Sequence, residues 1–190
     1  MPLPLGVSGN HGSFSEQAAQ HFLAKKGEQA EIRFLLNAEN SLAALEKGEL
    51  SRAVFPIENS NGGIVYEAVR AMSRHNFEIE EIFEIDIAHF LLGRPGAKIA
   101  EVSKIVSHPQ ALKQCRMFLK RRFPEVELME FSDTASAAKA LQDGELEPTT
   151  AVIAAEICAE IYGLEILEGR IQDLKFNFTT FIAARREGNS

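Results

Sequence analysis

Apolar side chains recur along the chain with two alternating periods. Short runs rich in Val, Ile or Phe predict strands near 4–8, 32–36, 52–57, 79–92, 103–107, 126–131, 151–154, 164–167 and 179–184. Between them the spacing lengthens to three and four. Ala18, Ala19, Phe22 and Leu23 share one helical face, as do Ile64, Val65, Ala68, Val69 and Met72. So do Leu112, Cys115, Phe118 and Leu119, and then Ala154, Ile157, Cys158 and Ile161. Gly27, Gly48, Gly144 and Gly163 follow helical patterns where a left-handed cap belongs, and Pro56 and Pro109 stand beside strand ends. Strand and helix alternate, so the fold class is α/β.

The two halves also match each other. Gly12-Ser13-Phe14-Ser15 opens a helix carrying Phe22-Leu23, and His108-Pro109-Gln110-Ala111 opens one carrying Phe118-Leu119, 96 residues later. Leu45–Leu50 meets Leu141–Leu146 at the same offset, and Ala53-Val54-Phe55 matches Ala151-Val152-Ile153 after a slip of two. One unit is written twice. Duplicated α/β lobes of this kind are expected to close a cleft around a small ligand, with loops at the carboxyl ends of the strands supplying the contacts.

Composition narrows the ligand. At 45% hydrophobic and 25% charged residues the chain is ordinary globular material, and its net charge of −7 argues against a nucleic-acid partner. No run reaches the roughly 18 apolar residues of a membrane span, and the Met-Pro-Leu-Pro-Leu start lacks a basic signal flank, so a cytoplasmic location is expected. Cys115 and Cys158 fall inside apolar helical patterns and are expected to be reduced core thiols. The five histidines share no i, i+4 spacing and no Cys-x-x-Cys occurs, so no metal is expected. A homodimer is the default expectation.

The candidate chemistry lies in loops rich in Ser, Thr, Asn and Gly: Gly9–Ser15, Pro56–Gly63, Ser107–Gln110, Ser132–Ser136 and the stretch around Asn177–Phe181. Such residues cap helices and leave backbone N–H groups aimed at an anion, which lets an acidic protein hold a carboxylate. Ser13 and Ser15 suit a plain helix cap equally well, as do Thr134 and Ser136, and Asn177–Phe181 also suits a plain strand.

Taken together and in order, these segments resemble the prephenate dehydratase family over essentially the whole chain. Val54-Phe55-Pro56-Ile57-Glu58-Asn59-Ser60 is similar to its Val-Pro-Ile/Val-Glu-Asn-Ser/Thr segment. Ser107-His108-Pro109-Gln110, Thr134-Ala135-Ser136-Ala137-Ala138 and Asn177-Phe178-Thr179-Thr180-Phe181 are similar to three further signatures. The resemblance implies decarboxylative dehydration of prephenate to phenylpyruvate, without a cofactor, on a two-lobed fold similar to periplasmic binding proteins. Lobe one would comprise residues 1–76 and 172–190, and lobe two residues 77–171. By resemblance Thr179 faces the departing hydroxyl, and Glu58 supplies its proton if burial suppresses ionisation. Gly12, Ser13, Asn59, Ser60, His108, Gln110, Thr134, Asn177 and Phe181 would bind the substrate dianion.

Two departures stand out. Thr180 occupies the place where the family signature usually has Arg, although on an extended segment residues 179 and 180 face opposite sides. The chain stops at Ser190, so the phenylalanine-binding regulatory domain that commonly follows is not expected. A non-aromatising prephenate decarboxylase and a non-catalytic binding module of the same fold are the alternative readings.

Overall fold

In the computed structural model, which describes residues 3–188, the first half of the chain builds a parallel β-α-β-α-β unit. It runs β1 (Leu5–Val7), α1 (Phe14–Lys26), β2 (Ile32–Phe34), α2 (Ala38–Glu46) and β3 (Arg52–Asn59), with β1 hydrogen-bonded between β2 and β3. Helix α1 starts where Ser13 accepts the Glu16 N–H and stops at Gly27, whose φ of 68° only a residue without Cβ adopts freely. A short β4 (Gly63–Ile64), α3 (Tyr66–Met72) and β5 (Glu78–Asp86) follow, and β11 (Phe178–Arg185) returns to fill the place between β3 and β5.

The second unit repeats this plan. Its β7 (Lys104–Ser107), α4 (Pro109–Gln114) with α5 (Arg116–Arg122), β8 (Glu127–Glu130), α6 (Thr134–Asp143) and β9 (Thr150–Ala154) again place the first strand between two parallel neighbours. Antiparallel β6 (Phe90–Gly93) then flanks β9, as β11 flanks β3, and β10 (Glu165–Glu168) closes the edge after α7 (Ile157–Ile161). The strand orders β2-β1-β3-β11-β5 and β8-β7-β9-β6-β10 correspond one to one, so the repeat in the sequence is a repeat in topology.

The expected lobe boundaries move. The chain leaves the first unit after Asp86 and re-enters it at Asn177, because residues 78–86 pair with β11 and the single expected strand 79–92 is two strands in different sheets. Residues 1–2 and 189–190 of the expected first lobe lie outside the described range.

Both faces of the first sheet are covered, as parallel strands require. On one face Leu5, Val7, Val54, Phe181 and Ala183 pack against Ala18, Ala19, Phe22 and Leu23 of α1. On the other, Ala53, Phe55, Ile182 and Ala184 meet Leu42 and Leu45 of α2 and Ala68 and Ala71 of α3. In the second unit, Leu91, Ile105, Ala151 and Ile153 bury Ala111, Cys115 and Leu119. Burial pushes the Cys115 thiol well above its ordinary range, so it stays an inert core group. No helix among the described residues is long and apolar enough to cross a membrane.

One irregularity sets the site. Along β3 and β11 the pairs Ala53–Ala184, Val54–Ala183, Phe55–Ile182 and Pro56–Phe181 are followed by Glu58–Thr180 and Asn59–Thr179, which leaves Ile57 as an extra residue. This β-bulge also accommodates Pro56, which has no N–H to give a central strand.

Candidate active site

The bulge decides which side chains meet. By strict alternation Asn59 would share the α2/α3 face with Ala53 and Phe55, whereas Thr179 shares the α1 face with Phe181 and Ala183. The extra residue shifts Asn59 onto the face of Thr179, opposite which it stands in register.

There the hydrogen bonds fix the polarity of every group. Asn59 Oδ1 accepts the backbone N–H groups of Asn61 (3.0 Å) and Gly62 (2.8 Å), an Asx turn that tolerates only an acceptor at that atom. Asn59 Nδ2 therefore faces the strand pair, where its two hydrogens are shared among Thr179 Oγ1 at 2.9 Å, Asn177 Oδ1 at 3.0 Å and the Phe178 carbonyl at 3.1 Å. Asn61 Nδ2 donates to the same Asn177 oxygen at 3.2 Å. Asn177 is fully buried and Thr179 is 8% exposed. Since the Thr179 oxygen receives an N–H from Asn59, its own proton is left to be donated outward. Ser60 fastens the junction from the far side, its hydroxyl accepting the Phe178 N–H at 3.0 Å while its N–H donates to the Phe178 carbonyl at 2.8 Å.

Asn59, Ser60, Asn177 and Thr179 are thus brought together, and sequence reasoning missed Asn61, for which only its place after the Glu-Asn-Ser segment is a signal. Other candidates fall elsewhere. Glu58 is exposed and pairs in register with Thr180, whose hydroxyl donates to Glu84 at 3.2 Å. It lies on the opposite face from Thr179 and lacks the burial that its expected role required. Phe181 is 1% exposed and stacks on Phe83, itself stacked on Phe22, so it anchors the strand from within the core instead of touching substrate. The Gly12 N–H donates to the Glu16 carboxylate at 2.6 Å, which also holds the His11 ring, so this N–H is already taken. Ser13 is the cap of α1, and the Ser13-x-x-Glu16 spacing is the signal for Glu16.

Three candidates belong to the second unit, at the carboxyl ends of its adjacent parallel strands β7 and β8. His108 caps α4, its Nδ1 accepting the Gln110 N–H at 3.2 Å. Among the described residues, the buried Nε2 of Gln110 has no hydrogen-bond partner. Thr134 is the first residue of α6, behind the Asp133 cap.

The family model for prephenate dehydratase matches residues 5–189. The chain belongs to the prephenate dehydratase family. Among named members, it is 35% identical over 189 residues to the arogenate dehydratase/prephenate dehydratase 6 of Arabidopsis thaliana, covering 97% of this chain and 44% of that protein. It thus spans less than half the length of that curated relative. Among solved structures, the prephenate dehydratase of Arthrobacter aurescens in complex with L-Phe superposes with a TM-score of 0.87 at 28% identity, covering 98% of this chain and 60% of that one. GqqA, described as a novel type of quorum quenching acylase, gives 0.83 at 26% identity, with 98% and 65% coverage.

Proposed function

We propose that the chain catalyses the decarboxylative dehydration of prephenate to phenylpyruvate, a step toward phenylalanine. In this reaction the ring carboxylate leaves as carbon dioxide and its electron pair enters the ring. The opposite hydroxyl departs and takes up one proton to become water. Hydroxide is a poor leaving group, so a donor aimed at it where charge develops is what accelerates the step. The observation that carries the proposal is the outward polarity of the Thr179 hydroxyl, set by Asn59 Nδ2 at 2.9 Å. Threonine is too weak an acid to ionise, so it stabilises the departing oxygen by hydrogen bonding.

The same geometry disfavours an acylase reading. A threonine nucleophile needs a neighbour that accepts its proton, and the side-chain group against Thr179 Oγ1 is a donor amide. Arogenate, which the Arabidopsis relative's name includes, carries an amino group in place of the pyruvyl keto oxygen and would lose its ring hydroxyl by the same route. We further propose a cytoplasmic location, which the two buried cysteine thiols support.

The test is to incubate purified protein separately with prephenate and arogenate and identify products by mass spectrometry. Phenylpyruvate from prephenate is expected. A decarboxylated product heavier by one water would identify the non-aromatising decarboxylase, and binding without turnover of either acid would identify a binding module.

A further inference from the structure

Most cations of the first unit are answered by acids. In the first unit Lys25, Lys26, Arg33, Arg52, Arg74 and Arg185 all stand within ion-pair distance of a glutamate. In the second unit helix α5 differs. Lys120 and Arg121 project from its last turn with no carboxylate partner among the described residues.

Both border a cavity of about 630 Å³ whose opposite wall is the segment 168–173. That wall is built to stay in place. The Asp173 carboxylate accepts the N–H groups of Met117 (2.8 Å) and Phe118 (3.0 Å), one on each oxygen, which ties the segment to the start of α5. Arg170 holds φ at 51°, a conformation uncommon outside glycine, which also marks a segment fixed by its surroundings. Gln172 Oε1 accepts the His89 N–H at 3.1 Å, so its Nε2 is the end left to serve as a donor in the cavity it lines.

We propose that this cavity is a binding site for an arylalkanoate monoanion, distinct from the Thr179 site. Lys120, Arg121 and Arg170 against Glu168 and Asp173 leave one net positive charge in the lining, which one carboxylate neutralises. The Gln172 amide gives that carboxylate a directional partner. Phe118 and the exposed thioether of Met117 form an apolar wall for a flat ring. The volume falls within the roughly 300–1,000 Å³ of small-molecule pockets. A phosphate would leave the apolar wall unused, and an uncharged aromatic would leave the cations unanswered. If the proposed reaction is correct, its product phenylpyruvate is an anion of this class.

The test is titration calorimetry of the full chain with 3-phenylpropanoate, which needs no turnover and so stands or falls separately from the dehydratase reading. Saturable binding near or below about 1 mM is expected. The double variant Lys120→Ala/Arg121→Ala should weaken it at least tenfold, or remove one equivalent where the Thr179 site also takes the probe. Both side chains are exposed, so melting temperature and kcat on prephenate should stay at wild-type values. Met117→Ala should weaken binding to a smaller extent. No saturable binding, equal binding by wild type and double variant, or equally tight binding of inorganic phosphate or 3-phenylpropan-1-ol would overturn the proposal.

Discussion

Asn59→Asp exchanges one NH₂ group for an oxygen and inverts a hydrogen bond. The retained oxygen still accepts the Asn61 and Gly62 N–H groups, so the turn survives. The new oxygen cannot donate to Thr179; it accepts the threonine proton instead, and the hydroxyl no longer points its hydrogen outward. Two costs can be worked out. Bonds from Nδ2 to Asn177 Oδ1 and to the Phe178 carbonyl are lost. At about 0.5–1.5 kcal/mol each they amount to roughly 1–3 kcal/mol of stability, a fall in Tm of about 2–12 °C. Loss of a positioned donor to a developing oxyanion costs about 10²–10³ in kcat. The assay is phenylpyruvate formation from prephenate, alone and in combination with Thr179→Ala. Thr179→Ala by itself should lose about 10² or more, yet less than about fivefold in the Asn59→Asp background, because the two changes remove one interaction. An Asn59→Asp enzyme within tenfold of wild type, or a full further loss on adding Thr179→Ala, would refute the polarity argument.

Three further outcomes are expected. Phe181→Ala empties a core position against Phe83, so it should destabilise the fold by about 3–5 kcal/mol in chemical denaturation; a stable variant with raised KM would return Phe181 to the substrate. Thr180→Arg places a cation between Glu58 and Glu84 on the face away from Thr179, so kcat should change by less than about tenfold with phenylpyruvate still the product; a changed product by mass spectrometry would refute the face assignment. His75 bridges Glu46 (2.8 Å) and Glu39 (3.1 Å) through its two ring nitrogens, and the hydrogen bond to Glu46 outweighs desolvation to raise its pKa above 6.5. A raised folded value means stabilisation that is complete below about pH 6.5 and fades as pH climbs through the folded pKa. The Tm gap between wild type and His75→Ala should therefore be widest near pH 5.5–6 and shrink toward pH 9, and a gap that widens with pH would exclude an imidazolium.

Much of this fold is legible in the sequence because periodicity and caps are local. Gly27, Gly48, Gly144 and Gly163 all adopt the left-handed backbone expected of them, and the two halves share one topology. The break between β5 and β6 was hidden because Ile85, Ile87 and Phe90 continue an apolar run across the point where the chain changes sheets. Helix α2 shows few large apolar residues, and its Asn37 cap is the clearest sign of it. The site was legible as a set of segments and illegible as a geometry. Alternation counted from Phe55 cannot register that Ile57 is an extra residue, so it cannot tell that Glu58 and Asn59 exchange faces. The Phe181 ring likewise reads as part of a signature until its stacking partners are known.

The position of β11 carries a consequence for synthesis. Residues 87–176 form an uninterrupted segment whose strands all pair among themselves, so this unit can fold as it emerges from the ribosome. The first unit cannot finish, because the strand it needs between β3 and β5 arrives late. Asn59 and Thr179 are 120 residues apart, which at about 5–20 residues per second means a wait of roughly 6–24 s. During that interval β3 and β5 expose unpaired edges, and the acids Glu78, Glu80, Glu81 and Glu84 along β5 are the charges that keep a waiting edge from pairing with a neighbouring chain. The hydrogen bond between Asn59 and Thr179 is made by the same insertion that closes the sheet, so on the proposed reading a nascent chain acquires its donor only once β11 is in place.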